Sequence, residues 1–177
     1  MVSYHRLALL TVCAGLLLPA QPGHGTWRIL GPGGGGAMFL PTISPHDPNT
    51  VFIACDMTGS YLTHDAGRSW RMFNLRDRTS WFVFDPSDAK TMYAYGLGLM
   101  RSQDAGRSWS LVYPTDVRGV AMVGDHASEV LLTKSGKVET IDAMAVDPTN
   151  SRTLYAAFTG NGQHLLRIST DAGRTWR

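Results

Sequence analysis

The chain has 177 residues, a length suited to one domain. Its formal net charge is only +2, with no run or stripe of Lys and Arg, which argues against nucleic acid as a partner. Nineteen glycines and 17% charged residues fit an all-β protein with many turns. No helical apolar periodicity occurs beyond the N-terminus.

His5 and Arg6 form a short polar start, Leu7 to Leu18 is almost entirely apolar, and Pro19-Ala20-Gln21 offers a small-residue exit. An apolar stretch this short falls below the ~20 residues that span a bilayer, so residues 1–20 are expected to be a cleaved secretory signal. Val12 stands before Cys13 where lipidation wants a small residue, which disfavours a lipid anchor there. After cleavage Cys55 is the sole cysteine, so no intrachain disulfide can form. A disulfide-free exported chain points to a bacterial secreted or periplasmic protein with no membrane attachment. Gly31-Pro32-Gly33-Gly34-Gly35-Gly36 satisfies the G-x-G-x-x-G spacing, but Ala37-Met38-Phe39-Leu40-Pro41 follows instead of a helix that could hold a phosphate. No nucleotide or other cofactor is expected.

From residue 38 onward two elements alternate. The first is a Pro-containing turn after a β-rich run: Ser44-Pro45-His46-Asp47-Pro48, then Asp85-Pro86-Ser87-Asp88, then Asp147-Pro148-Thr149-Asn150. A second strand follows each turn: Val51–Ala54, Thr91–Ala94 and Thr153–Ala156. The second element is an octapeptide present three times: Thr63-His64-Asp65-Ala66-Gly67-Arg68-Ser69-Trp70, Ser102-Gln103-Asp104-Ala105-Gly106-Arg107-Ser108-Trp109, and Ser169-Thr170-Asp171-Ala172-Gly173-Arg174-Thr175-Trp176. Its Asp can accept N–H bonds from its own turn, its Gly supplies a positive φ, its hydroxyl closes the loop, and its indole packs on sheet. These residues are expected to be structural: Asp65, Gly67, Trp70, Asp104, Gly106, Trp109, Asp171, Gly173 and Trp176.

Repetition at tens of residues indicates one supersecondary unit used repeatedly. Asp47 to Asp85 spans 38 residues and Asp65 to Asp104 spans 39, whereas Asp85 to Asp147 spans 62 and Asp104 to Asp171 spans 67. An insertion is therefore expected within Pro114–Lys137, with Gly119–Val123 and Glu129–Thr133 as added strands. Gly160-Asn161-Gly162-Gln163-His164 lengthens a hairpin in the third unit.

The octapeptide resembles the Asp-box, or BNR repeat, of β-propellers. That resemblance implies four-stranded antiparallel blades with the box between the third and fourth strands, on the rim away from the central site. The expected fold is an all-β partial propeller over residues 21–177, with blades near 38–75, 79–135 and 138–177. Propellers close with about four to eight blades, so the expectation is an N-terminal fragment whose C-terminal blades lie elsewhere.

A narrower resemblance covers roughly residues 27–75. Gly33–Gly36, the strand leading to Asp47-Pro48, and Val51-Phe52-Ile53-Ala54-Cys55-Asp56-Met57-Thr58-Gly59-Ser60-Tyr61 are similar to the opening of family seventy-four glycoside hydrolases, which act on xyloglucan and related β-glucans. The family's Asp-Ile-Gly-Gly-Ala-Tyr segment is matched at Asp56, Gly59 and Tyr61 and departed from at Met57, Thr58 and Ser60. The resemblance implies that Asp56 is one of two catalytic carboxylates, the second supplied from outside this chain; a turn-capping Asp is the plainer reading of the same residue. Counted back from the box, the second-unit counterpart of Asp56 is Tyr95, so Asp56 stands outside the repeat.

Other candidates are weaker. Asp125, His126 and Glu129 match no metal-ligand spacing, and no metal is expected. Asp116, Arg118 and His164 read as surface residues, and Trp81 and Tyr95 as sheet packing in preference to sugar stacking. The sialidase arginine triad is absent, with Arg28 its faintest echo. Function is thus expected to be that of a secreted propeller resembling a β-glucan- or xyloglucan-type glycoside hydrolase, inactive as this fragment. Its partner would be a polysaccharide. The alternative is a non-catalytic, sortilin-like propeller that binds an exported protein or peptide.

Overall fold

The computed structural model describes residues 28–33, 36–57, 59–123, 128–136 and 139–177. The signal segment, Cys13, Gly34, Gly35, Thr58, Asp125, His126 and Lys137 lie outside the described residues. Every regular element among the described residues is a strand.

The chain is an all-β partial propeller. β1 (Met38–Ile43), β2 (Val51–Cys55), β3 (Gly59–Thr63) and β4 (Arg71–Asn74) form an antiparallel sheet in chain order. β5 (Trp81–Phe84), β6 (Met92–Tyr95), β7 (Leu99–Ser102) and β8 (Ser110–Tyr113) repeat it. β9 (Val117–Val123) and β10 (Ser128–Thr133) make a separate two-stranded ribbon in the insertion. β11 (Glu139–Asp147), β12 (Asn150–Gly160) and β13 (Gln163–Ser169) form a third sheet of three strands. Beyond β13, Arg177 exchanges backbone bonds with Ile168 at 3.0 and 3.1 Å. The same rung is made by Arg71 on Leu62 and by Ser110 on Arg101.

The first strands of the three sheets lie side by side, β1 against β5 and β5 against β11. Apolar side chains fill the two gaps between sheets. Phe52, Ala54, Leu62, Phe82, Met92 and Ala94 form the core between the first and second sheets. Tyr93, Leu99, Ile141, Val146, Leu154, Ala156 and Phe158 form the core between the second and third. Within β6, Met92 and Ala94 enter one core and Tyr93 the other, because successive side chains on a strand point to opposite faces. Such a strand reads as a continuous apolar run, being buried on both sides.

The Pro-containing turns superpose in a register different from the one that spacing suggested. The His46 N–H donates to Ser44 Oγ, the Ser87 N–H to Asp85 Oδ1, and the Thr149 N–H to Asp147 Oδ1. Three residues further on, the Asn49, Lys90 and Arg152 N–H groups donate to Asp47 Oδ1, Asp88 Oδ1 and Asn150 Oδ1. The Thr50 and Thr91 hydroxyls close the turn on the second oxygen of Asp47 and Asp88. Asp47 therefore corresponds to Asp88 and Asn150, while Asp85 corresponds to Ser44. Pairing Asp47 with Asp85 because both precede a proline shifted the comparison by three residues. The turns also link blades: His46 Nε2 lies 2.7 Å from the Asp85 carbonyl, and the Ser87 hydroxyl donates to the Pro148 carbonyl at 2.6 Å.

Candidate functional site

Antiparallel meanders send successive connections to opposite ends of the sheet. One end holds the Pro turns and all three octapeptides. The other holds the β2–β3, β6–β7 and β12–β13 hairpins and the connections from each sheet to the next.

At the octapeptide end the three turns share one hydrogen-bond pattern. The Ser69, Ser108 and Thr175 N–H groups donate to Oδ1 of Asp65, Asp104 and Asp171 at 2.8–2.9 Å, and their hydroxyls donate to Oδ2 at 2.6–2.7 Å. The leading hydroxyl of Thr63, Ser102 or Ser169 donates to the same carboxylate and accepts the Gly N–H. Hydrogen bonds from the second hydroxyl and its N–H bring each of these carboxyl groups down to about 2. Gly67, Gly106 and Gly173 have φ of 82°, 78° and 89°. The alanine before each glycine is also left-handed, with φ of 57°, 59° and 61° at Ala66, Ala105 and Ala172, a feature the residue types did not announce. The indoles are half-buried: Trp70 donates to the Leu30 carbonyl and Trp176 to that of Gly173, while Trp109 stacks on Phe73 with ring centroids 5.7 Å apart. With carboxylates this fully engaged by their own turns, the octapeptide end offers little reactive chemistry.

Asp56 is exposed at the opposite end, directly after β2. The Ala37 N–H donates to its Oδ1 at 2.9 Å, and the Asp56 N–H donates back to the Ala37 carbonyl at 3.2 Å. The Cys55 thiol lies 3.6 Å from the same oxygen. Gly36 packs on the carboxylate so closely that a Cβ there would come 2.5 Å from Oδ1, and its φ of 96° also requires glycine. The last glycine of the glycine-rich segment thus packs directly on Asp56. Tyr95 is not the counterpart of Asp56. Ala54 pairs with Ser60 and Tyr95 with Leu99, so Ala54 corresponds to Tyr95, and Asp56 sits in a hairpin two residues longer.

Around this end the structure assembles side chains that the sequence left apart. Trp81 and Tyr95 stack with centroids 5.7 Å apart, and the Trp81 indole donates to the Ile141 carbonyl. Glu139 accepts both Arg167 guanidinium nitrogens at 2.8 and 2.9 Å and the Tyr113 hydroxyl at 3.1 Å. Burial, and then the bond to Glu139, push the Tyr113 phenol up to about 12, so it stays a donor. Glu129 pairs with Arg76 at 2.5 Å. Asp116 accepts the Ser135 N–H and is held below the usual carboxyl range by its bonds to Ser135. Arg118 is exposed on β9, and His164 Nδ1 lies 2.8 Å from the Thr159 hydroxyl. Among the described residues no group of three or more His, Cys, Asp or Glu is placed to hold a metal ion. The Glu139–Arg167–Tyr113 cluster was missed because its members come from three separate strands and no local motif marks them.

No family model matches the chain. It is 29% identical to the xyloglucanase of Hypocrea jecorina (strain QM6a) over 191 aligned positions, covering 95% of this chain and 20% of that protein. It is 28% identical over 160 positions to the xyloglucanase Xgh74A of Acetivibrio thermocellus, covering 75% of this chain and 18% of that protein. Among solved structures, the GH74 xyloglucanase of Xanthomonas campestris aligns over 77% of this chain and 29% of its own, at 19% identity and a TM-score of 0.37. The chain spans about a fifth of the length of the curated relatives it matches. It is a partial β-propeller that resembles the GH74 xyloglucanases.

Proposed function

We propose that this chain supplies one catalytic carboxylate, Asp56, to an exported glycoside hydrolase that cleaves β-glucan of the xyloglucan type. The likeness to xyloglucanases supports this substrate class, and the clamp on Asp56 by Gly36 and Ala37 is the observation that carries the assignment. Hydrolysis of a glycosidic bond takes two carboxyl groups, held roughly 6.5–9.5 Å apart for inversion and about 5–5.5 Å apart for retention. Fixing one oxygen through a backbone N–H holds the carboxylate in one orientation, as a pair at set separation demands. Glu129 and Glu139, the glutamates on this side, are each occupied by an arginine. The resemblance to the family assigns the second carboxylate to a part of the enzyme outside these 177 residues, which alone should release no reducing sugar. The octapeptide carboxylates take a structural role, and residues 1–20 serve export.

The test is Asp56→Ala in the intact protein, assayed for reducing ends from xyloglucan and for thermal unfolding. Hydrolysis should fall by at least a thousandfold while the melting temperature holds. Activity retained in a folded variant would remove Asp56 from the mechanism. Hydrolysis by the 177 residues alone would remove the need for an outside partner.

A further inference from the structure

The connection from β4 to β5, residues 75–80, runs along the Asp56 end and ties it to a cavity one blade away. Arg78 places its guanidinium over the Phe39 ring, 5.9 Å from the centroid, and Phe39 pairs with Ala54 just before the Asp56 hairpin. The Thr79 hydroxyl is bonded to Ser60 at 2.9 Å in the protein interior. Asp77 and Ser80, on either side of these anchors, line a cavity of about 290 Å³. Its other walls come from Tyr95 and Gly96–Gly98 of the second sheet, Tyr113, the ribbon residues Val130 and Leu131, and Glu139. The ribbon is held in place as a wall by the Arg76–Glu129 ion pair and by the Glu129 N–H donating to the Arg76 carbonyl at 3.3 Å.

These walls combine an apolar side with hydrogen-bond acceptors whose charge is largely offset. Tyr95 is backed by the Trp81 indole in a near-parallel stack, and Leu97 and Leu131 add apolar surface. Glu139 is neutralised by Arg167 and Glu129 by Arg76. An anion would meet three carboxylates at Asp77, Glu129 and Glu139, while a cation would meet guanidinium groups beside two of them. A neutral molecule with one apolar face and a rim of hydroxyl donors meets neither penalty. The volume lies at the small end of the roughly 300–1,000 Å³ of ligand pockets, which suits one ring and not a chain of them.

We infer that this cavity binds a single neutral sugar residue of the glycan, with its C–H face toward Tyr95 and its hydroxyls toward Asp77, Ser80 and Glu139. The inference rests on the glycan reading above and adds a binding site to it. The cavity lies on the same end of the sheets as Asp56, one blade away, so the site would hold the glycan at a point removed from the bond cleaved at the carboxylate.

The experiment uses the intact protein and two probes, a xyloglucan heptasaccharide and cellotetraose, with binding followed by calorimetry and saturation-transfer NMR. Ser80 is exposed at the cavity mouth, and Ser80→Trp would fill it; Asp77→Asn removes one acceptor without adding bulk. Affinity for at least one probe should drop tenfold or more in Ser80→Trp and severalfold in Asp77→Asn, with unfolding temperatures unchanged. If Ser80→Trp does not fold, the Asp77→Asn result decides. Unchanged affinity in folded variants, or no binding of either probe by the parent, overturns the assignment. Asp56→Ala separates the two readings. Lost hydrolysis with binding intact supports both, whereas retained hydrolysis with cavity-dependent binding sinks only the role of Asp56.

Discussion

Asp65, Asp104 and Asp171 show what a repeated residue does when its own turn satisfies it. Each carboxylate gathers two hydroxyls and a backbone N–H, and each is held near 2 where an aspartate ordinarily titrates at 3.8. A carboxyl group whose folded value is depressed adds stability that is present above its unfolded value and lost as the pH falls through the folded one. Stability should therefore decline as the pH drops from about 4 to about 2. Because these groups are solvent-exposed, each one's share is small. Asp104→Asn keeps an acceptor for the Ser108 N–H but loses the oxygen that takes the Ser108 hydroxyl. Its denaturation midpoint should be lower at pH 6 and should change less between pH 4 and pH 2 than the parent's, as read by urea titrations at each pH. At Asp56 the residue scale gives a different picture. Its contacts come from the segment before β1 and from its own hairpin, with no octapeptide residue involved.

At the scale of the element, the octapeptide glycine does more than permit a turn. A Cβ on Gly106 would come 2.7 Å from the Phe52 ring and 3.2 Å from Leu62, both on the preceding sheet. A Cβ on Gly173 would come 2.9 Å from Leu99, again on the preceding sheet. At Gly67 the same place is taken by Leu30, whose carbonyl would lie 3.0 Å away. The motif is therefore a blade-to-blade joint as well as a hairpin. Gly106→Ala must both adopt a φ of 78° and displace a packed aromatic, so it should destabilise by roughly 2–4 kcal/mol. Denaturant unfolding checks this, and a loss below about 1 kcal/mol would mean that the joint yields easily. Strands and turns were legible in the sequence because Pro, Gly and β-branched runs act locally. Register was not. The three-residue slip between Asp47 and Asp85 and the longer Asp56 hairpin both arise where turn length changes between copies, and counting from one anchor cannot detect such a change.

For the whole molecule, packing between sheets decides what remains exposed. The faces that meet each other carry Phe52, Phe82, Tyr93 and Phe158, all buried. On the outer face of the first sheet, Ile43 is 61% exposed, and with Val51, Ile53 and Trp70 it lines an apolar cavity of about 300 Å³. On β13, Leu166 is 76% exposed. Apolar faces and open strand edges of this kind favour association. The 177 residues alone should therefore self-associate at micromolar concentration. Sedimentation velocity checks this, and a sharp monomer peak across the concentration range would show that these faces are tolerated in water.

By itself the sequence determined the all-β class, the three repeating units and the inserted ribbon, because each is written in residues close together in the chain. Only the tertiary structure decided the rest. It showed that the octapeptide glycines serve as joints, that Gly36 and Ala37 clamp Asp56, and that five separate segments line a cavity one blade away on the same end of the sheets. Those features depend on which sheet faces which. That choice is set by side-chain volume across the gaps between sheets, and spacing along the chain does not record it.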